Sequence, residues 1–495
     1  MSTLCFYVNQ IHENMKSKTT ILAIFIAWAF FHPGTKAQDM AVVNVSVIDC
    51  TGSKEKPNMT VLVTDGKITA IEKFSRKNFG ANTRIIDGKG KYLIPGLWDM
   101  HVHCLNDSLV FFPLMICNGI TSVRDMYNNA ALFEMKTEWR KLINEGKLIG
   151  PNMYIPLAVF GPDQNWWWGI VVKSKEEAAN FVREAKASGA DFIKIYDLYD
   201  PEVYFAIVNE AKQAGIKVVG HCPISVNIAD AAEAGQSTFE HLLGILIASS
   251  SKETQIRSQM VQKTHEVHDS FSDLTRLLFY VQSADISGTY DVNKANNLFR
   301  RLKNSGSYQC PTLVFWKRLL TAINTDTCAD GRFKDVPAKD LKYWYDLKAD
   351  LSTAKISKED FNLIRTLVKM DFQLVKELNR RGVKLLAGTD ITWYKGKVMP
   401  KFGLHDELSL LVEAGLSPME ALLTATKNAA EALGVLDKAG TLEVGKCADM
   451  LLLDANPLKD IQNTTKINSV VKAGNYYSRD KLDNLLHDVE MKAKK

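Results

Sequence analysis

Two hydrophobic rhythms divide the chain. Between residues 40 and 92 apolar positions recur every second residue in short runs, "AVVNVSVIDC", "MTVLVTDGKITAIEK" and "TRIIDGKGKYLIPG". A period of two marks half-buried strands, and the pairs Asp65-Gly66 and Asp87-Gly88 predict hairpin turns between them. Similar material returns only near the end, in "GTLEVGKCADMLLLDAN" and "INSVVKAGNYY". A small β-sandwich domain built from both chain ends, residues 38–92 with 438–480, is the expectation, followed by a C-terminal tail over 481–495.

From Leu93 onward, continuous apolar runs alternate with segments of helical period. The strand candidates are "LIPGLWDMHVH", "GITSVRDM", "NMYIPLAVF", "ADFIKIYD", "KVVGHC", "STFEH", "QCPTLVF" and "VKLLAGTD". Between them lie helical patterns such as "SKEEAANFVREAKASG" and "PEVYFAIVNEAKQAG", each closing near a Gly. Eight such strands separated by helices predict an α/β fold with a (β/α)8 TIM barrel over residues 93–437. The long connections 246–306 and 318–381 are charged and helical in period, which places helices over or beside the barrel mouth.

One apolar run stands apart. "TILAIFIAWAFF" follows Lys16 and Lys18 and precedes "GTKAQ", with Thr35 and Ala37 as small residues before a cleavage point. That layout is a secretory signal peptide over residues 1–37, so the expected destination is periplasmic or secreted. A single-pass anchor is the alternative, and Met15 is a second candidate start. Membrane contact is expected only through this segment.

The bulk numbers narrow the partners. With 46% apolar and 24% charged residues, the chain has the composition of a globular protein with a large core. Removing residues 1–37 takes three Lys and one Glu, so the net charge falls from +5 to +3. No basic run is interleaved with aromatics, which argues against nucleic acid. Cys50, Cys104, Cys117, Cys222, Cys310, Cys328 and Cys447 are scattered without a CxxC pair, so neither a zinc finger nor a dense disulfide framework is indicated. Cys50 with Cys447 is one conceivable pair in an oxidising compartment. Assembly of identical copies is left open.

Chemistry in such a barrel gathers at the C-terminal ends of the strands. The first ends in His101 and His103, whose spacing points both imidazoles to one side. The fourth carries Lys194, the fifth ends in His221, the sixth in His241 and the eighth in Asp390. Each has a bland alternative: a solvated strand-end lysine, a hydrogen-bonded core histidine, a helix-capping aspartate. Joint placement decides, because six ligand-type residues end five strands in order. Imidazole and carboxylate suit Zn²⁺ and other borderline divalent ions. An ammonium has no lone pair to give a metal, whereas a neutral lysine amine that adds CO2 becomes a carbamate with two oxygens. Such a bridge holds two ions ~3.5–4 Å apart, which can share an attacking hydroxide.

At these positions the chain resembles the amidohydrolase superfamily, over about residues 40 to 480. "PGLWDMHVH" is similar to its first-strand signature, "FIKIYD" to its carbamylated-lysine strand, "GHCP...AGQSTFEH" to strands five and six, and "AGTD" to strand eight. "HDELSLLVEAGLSPMEALLTATKNAAEALG" and "GTLEVGKCADMLLLD" are similar to its closing helices and β-domain return. The branch it most resembles is the imidazolonepropionase-related group, which includes metal-dependent dipeptidases. The resemblance implies that His101 and His103 bind a more buried metal, His221 and His241 a second, and Lys194 bridges them. Asp390 would ligate the buried ion and act as the proton shuttle, first as general base and then as acid. Two divalent ions, zinc by expectation, and a CO2-derived carbamate on Lys194 are the implied cofactors.

Two stretches depart from the dipeptidases of that branch. "FGPDQNWWWGI" lacks their Gly- and His-rich segment after the third strand, and "YDLYD" replaces their Gly-rich turn after the bridging lysine. Both lie in substrate-facing loops. Trp166, with Trp167 and Trp168, is a candidate aromatic wall for the substrate. Arg124 and Tyr196 are candidates to bind a substrate carboxylate or polarise a carbonyl, and His405 to line the mouth. The sequence thus predicts an exported binuclear hydrolase of a C–N bond in an N-acyl amino acid, small peptide or cyclic amide. A lactonase or other ester hydrolase and a non-catalytic scaffold are the alternatives; a deaminase fits less well, since deaminases of this superfamily generally use one metal and lack the bridging lysine.

Overall fold

A computed structural model describes residues 39–75, 79–104, 108–161, 169–196, 199–266, 288–324, 358–391 and 403–493. Residues 1–37, read above as a signal, and Trp166 to Trp168 lie outside the described residues. Among the described residues no helix is long and apolar enough to cross a membrane.

The chain enters through β1 (Met40–Val47), β2 (Lys56–Thr64) and β3 (Lys67–Lys73), an antiparallel run. Asp65 and Gly66 have φ of 50° and 74°, the two positive values that a tight hairpin of this kind requires. The second Asp-Gly pair behaves differently. β4 (Arg84–Asp87) and β5 (Tyr92–Pro95) both lie parallel to β1, so the chain continues along β1 at Asp87-Gly88 and does not reverse. Gly88 donates its N–H to Val43 O at 2.8 Å, and a Cβ there would sit 2.6 Å from Val45 Cβ. Glycine is needed at that position for close approach to β1, a demand invisible in the dipeptide itself.

Next come β6 (Leu97–Val102), β7 (Ile120–Asp125) and β8 (Asn152–Tyr154), a parallel sheet in that order. β9 (Pro156–Gly161), β10 (Gly169–Val171), β11 (Phe192–Ile195), β12 (Lys217–Gly220), β13 (Gln236–Glu240), β14 (Tyr308–Cys310) and β15 (Lys384–Leu385) make a second parallel sheet, ordered β10-β9-β11-β12-β13-β14-β15. Ile155 alone separates β8 from β9, so one stretch of chain joins the two sheets. At the other end Met100 N–H donates to Ala387 O (2.9 Å), Asp390 N–H to His101 O (2.8 Å) and His103 N–H to Ile391 O (2.9 Å). These bonds set the eighth strand position beside the first, the adjacency of a (β/α)8 arrangement. The strands of "QCPTLVF" and "VKLLAGTD" are shorter than their apolar runs, because Leu313 already starts the helix Leu313–Asn324 and the regular ladder of the eighth strand ends at Leu385.

The helices between strands follow their sequence signals. Lys175–Ala187 begins where Ser174 Oγ accepts the Glu177 N–H, and Pro201–Ala214 ends at Gly215 in the left-handed region, φ 64°. The long connections contribute the helices Glu253–Glu266, Val292–Ser305, Leu313–Asn324 and Lys358–Arg380.

The chain closes with β16 (Met450–Leu453), β17 (Ile467–Lys472) and β18 (Asn475–Tyr477), which join β5 to complete one eight-stranded sheet from both chain ends, ordered β18-β17-β16-β5-β1-β2-β3 with β4 on β1. Alternation divides its residues between two cores. Met450, Leu452 and Val471 pack with Met40, Val42 and Leu93, while Leu451, Leu453, Val470 and Ile94 join the large core shared with the parallel strands. Each buried leucine contributes about 1.5–3 kcal/mol, so this second face holds the sheet firmly to the rest of the molecule. The segment named a tail is a helix, Arg479–Ala493, burying Leu482, Val489 and Ala493 near the helix Ser108–Cys117, whose Cys117 thiol reaches Leu482 O. Apolar residues at 482, 485, 486 and 489 carry that helical period.

Candidate metal centre

Five parallel strands deliver the polar side chains to one end. Along β6 and the residue that follows it, alternation puts Asp99, His101 and His103 on the same side. Asp99 accepts from the Thr389 N–H (3.0 Å), the Thr389 hydroxyl (2.7 Å) and the His101 N–H (3.2 Å), and so clamps the first strand to the segment that presents Asp390. Burial pushes the Asp99 carboxyl up to about 7. Two residues that end strands, His241 and Asp390, have φ of 62° and 54°. Non-glycine residues held there cost about 1–3 kcal/mol each, and such strain gathers at functional sites. His241 N–H to Cys310 O (2.8 Å) and Asp390 N–H to His101 O hold the two in place.

Around these anchors the ring atoms converge. Asp390 Oδ1 lies 2.9 Å from His103 Nε2 and 3.4 Å from His101 Nε2, and the two Nε2 atoms are 3.3 Å apart. Ligand atoms of His101, His241 and Asp390 all fall within 4.8 Å of one another. His221 continues the cluster, its ring centroid 5.0 Å from that of His241, and Tyr196 packs on His221 at 4.2 Å. Lys194 is buried on β11 with its Nζ 5.7 Å from the Tyr196 ring centre. Gly220, at φ 123°, lets β12 pass this lysine: a Cβ would sit 2.2 Å from Ile195 O and 2.9 Å from Lys194 Cδ. Gly388 is likewise pressed against His101, with room for no side chain.

The electrostatics favour neutral imidazoles beside an ionised carboxylate. Burial holds His101 down at about 4, and it holds His241 well below the usual histidine range with help from His101, His221 and Lys194. Burial alone would raise Asp390, but its hydrogen bond from His103 and the surrounding imidazoles outweigh that and hold it well below the carboxylate range. Free nitrogen lone pairs next to a carboxylate are what a divalent ion binds.

Outside the cluster stands a support that the sequence reading missed. His101 Nδ1 lies 2.9 Å from Glu240 Oε2, and Arg124, fully buried, donates to Glu240 Oε1 (2.8 Å), Thr238 Oγ1 (2.7 Å) and Met100 O (2.7 Å). Burial would raise Glu240; the Arg124 charge and the His101 hydrogen bond keep it ionised, below the usual range. An ionised Glu240 fixes the proton of His101 on Nδ1 and leaves Nε2 facing Asp390 and His103. On His241, Nδ1 meets Thr312 Oγ1 at 2.7 Å, and Thr312 precedes a helix whose first amides, Leu313 and Val314, donate to the buried Glu407. A carboxylate directly before a strand-end histidine was the available signal for Glu240; nothing local marks Thr312 or Asp99. Glu240→Gln is expected to lower divalent-metal affinity by about 10–100-fold, read by competition with a chromogenic chelator. Unchanged affinity would mean that Glu240 serves Arg124 alone.

The other sequence candidates fall as follows. Arg124 lies within the strands beneath the histidines with its guanidinium committed to Glu240, Thr238 and Met100, so its expected contact with substrate gives way to a supporting one. Tyr196 is at the cluster. His405 is buried between Thr464 Oγ1 (2.8 Å) and Asn118 O (2.9 Å), so both ring nitrogens have protein partners and the structure does not bring it to the cluster. Trp166 lies outside the described residues. Cys50 and Cys447 are free thiols, the first buried and the second exposed, so the conceivable pair does not form. Cys310 lies close to His101 and Glu240, but burial holds its thiol well above the usual range and so protonated.

Comparison with known proteins gives the chain a family and fold relatives. Residues 92–476 match the amidohydrolase family. An adenine deaminase of Ruegeria pomeroyi is 28% identical over 109 residues, covering 20% of this chain and 18% of that protein. An imidazolonepropionase of Thermoplasma volcanium is 33% identical over 91 residues, covering 18% and 22%. The matched stretch thus spans about a fifth of the length of these curated relatives. Among solved structures, a Xaa-Pro dipeptidase with bound methionine in the active site superposes with a TM-score of 0.63 at 19% identity, over 89% of this chain and 100% of that one. A bottromycin amidohydrolase gives 0.69 at 20% identity, over 94% and 93%. At these identities the structural likeness speaks for the fold.

Proposed function

The chain belongs to the amidohydrolase family, and from that premise we propose that it is a metal-dependent hydrolase of a carbon–nitrogen bond in a small amide or peptide. The observation that carries the proposal is the convergence of His101, His241 and Asp390 on one point, with His103 and His221 beside them. Neutral imidazole and carboxylate are the donor set of a borderline divalent ion, and Gly220 and Gly388 leave the backbone close around it. His101 and His103 with Asp390 would hold one ion, and His221 and His241 a second; zinc is the proposed metal. Lys194, as a carbamate, would stand between them.

When bound, such ions lower the pKa of water toward neutrality and polarise the carbonyl to be attacked. The remaining work falls to the chain. Asp390, kept ionised by its surroundings, accepts the proton of the attacking water on a carboxylate oxygen and returns it to the departing nitrogen. Glu240 and Arg124 hold His101 in register, and Thr312 does the same for His241. Residues 93–437 would carry this chemistry, with 38–92 and 438–480 as a separate β domain, and residues 1–37 would direct export.

Stripping divalent ions with a chelator should abolish hydrolysis of a panel of amino-acid amides and dipeptides, and adding back zinc should restore it. Hydrolysis that survives complete metal removal would contradict the proposal, and restored turnover of lactones without any amide turnover would shift it to ester chemistry.

A further inference from the structure

β12 ends at Gly220, and His221 follows it directly. Gly220 has φ 123°, in the region that favours glycine, so the backbone that aims His221 is intrinsically soft. Hydrogen bonds supply the stiffness. On one side the His221 N–H donates to Ile195 O at 3.0 Å. On the other, the side-chain amide of Gln236 donates to Gly220 O (3.2 Å), His221 O (3.1 Å) and Thr238 O (3.0 Å).

β13 carries an extra residue at this point. Val218 stands opposite Gln236 and Val219 opposite Thr238, which leaves Ser237 as a bulge whose hydroxyl donates to Val218 O (2.9 Å). Bulges gather beside functional sites, where they re-aim side chains. The amide is itself locked, because its Oε1 accepts the Tyr204 hydroxyl at 2.6 Å, and burial keeps that hydroxyl protonated by pushing it well above the usual range. Both residues are buried, and Tyr204 comes from the helix Pro201–Ala214, so a helix and two strands meet at one amide. Two N–H groups shared among three carbonyls is a donor role that neither a carboxylate nor a hydrocarbon can take over.

We infer that Gln236, locked by Tyr204, is a positioning residue for His221, fixing its backbone so that the imidazole stays where the second metal ion would bind. The inference rests on the hydrolase reading above, in which His221 and His241 hold that ion. His101 and His103 have other supports, Asp99, Glu240 and Ile391 O, and His241 has Thr312 and Cys310 O. Loss of the Gln236 amide should therefore weaken one ion and spare the other, which a general loss of stability would not do.

The test is a Co²⁺ titration of the metal-stripped full-length protein, followed by visible absorption and by competition with a chromogenic chelator. Wild type should take two ions. Gln236→Met, which keeps the volume and removes the amide, should bind the first as wild type does. It should bind the second about 10–100-fold more weakly, the usual cost of losing an outer-shell support. At one equivalent its spectrum should match that of His221→Ala, in which the second site lacks its own ligand. Tyr204→Phe, which removes only the hydroxyl, should weaken the same ion by less, and it decides the matter if Gln236→Met does not fold. Equal weakening of both ions, or unchanged affinity for both, would overturn the positioning role and leave the two-metal site standing. Fewer than two ions in wild type would overturn the binuclear reading and this inference with it.

Discussion

Lys194→Ala should lose more than about a hundredfold in kcat/KM, beyond the upper end of what removal of a supporting outer-shell group costs, and should regain part of it in formate, acetate or propionate. Lys194 is 1% exposed, on the strand between the third and fifth barrel positions, with its Nζ 5.7 Å from the centre of the Tyr196 ring, which packs on His221. A long side chain there serves no solvent-facing purpose, and as an ammonium it would add a positive charge to a site that holds its histidines neutral. A carbamate on the amine reverses that charge and supplies two oxygens. Truncation to Ala opens space that a short carboxylate can enter and occupy in the same role. Lys194→Met, which keeps the volume and removes the amine, should lose activity without rescue, which separates missing chemistry from a packing defect. Undiminished activity in either variant would refute the bridging role.

Asp390→Asn should lower kcat by about 10²–10⁴-fold, the range for loss of a positioned acid–base group, with a much smaller change in KM. The substitution is informative because of the backbone. Asp390 has φ 54°, a conformation that Asn tolerates as well as Asp does. The amide keeps the shape and an oxygen for the His103 contact but cannot take a proton. A kcat within a few-fold of wild type would place the proton transfer elsewhere.

Much of the fold was legible because it rests on short-range pattern. The runs ending in His101, Lys194, His221 and His241 are buried throughout or nearly so, as parallel strands covered on both faces must be. The six metal-ligand candidates could be named because each terminates such a run, and the structure gathers them at one end. What escaped depended on distant partners. Glu240 and Arg124 lie 116 positions apart, and neither residue reveals the pairing locally. Arg124 read as a substrate contact because an arginine at a strand end is chemically able to be one; only the carboxylate of β13 beneath it shows that it is already committed. His405 misled in the same way, its partners being Asn118 and Thr464. Asp87-Gly88 carried a turn signal that the neighbouring strand β1 overrode, and the closing helix Arg479–Ala493 carries its apolar residues 482, 485, 486 and 489 in a short, highly charged segment.

Elemental analysis of the full-length protein, purified without chelators, decides whether this cluster binds two metal ions. About two divalent ions per chain, falling in Lys194→Ala, is the predicted result. No bound metal, even after zinc is supplied, would contradict it and leave the histidines as a polar end to the barrel strands.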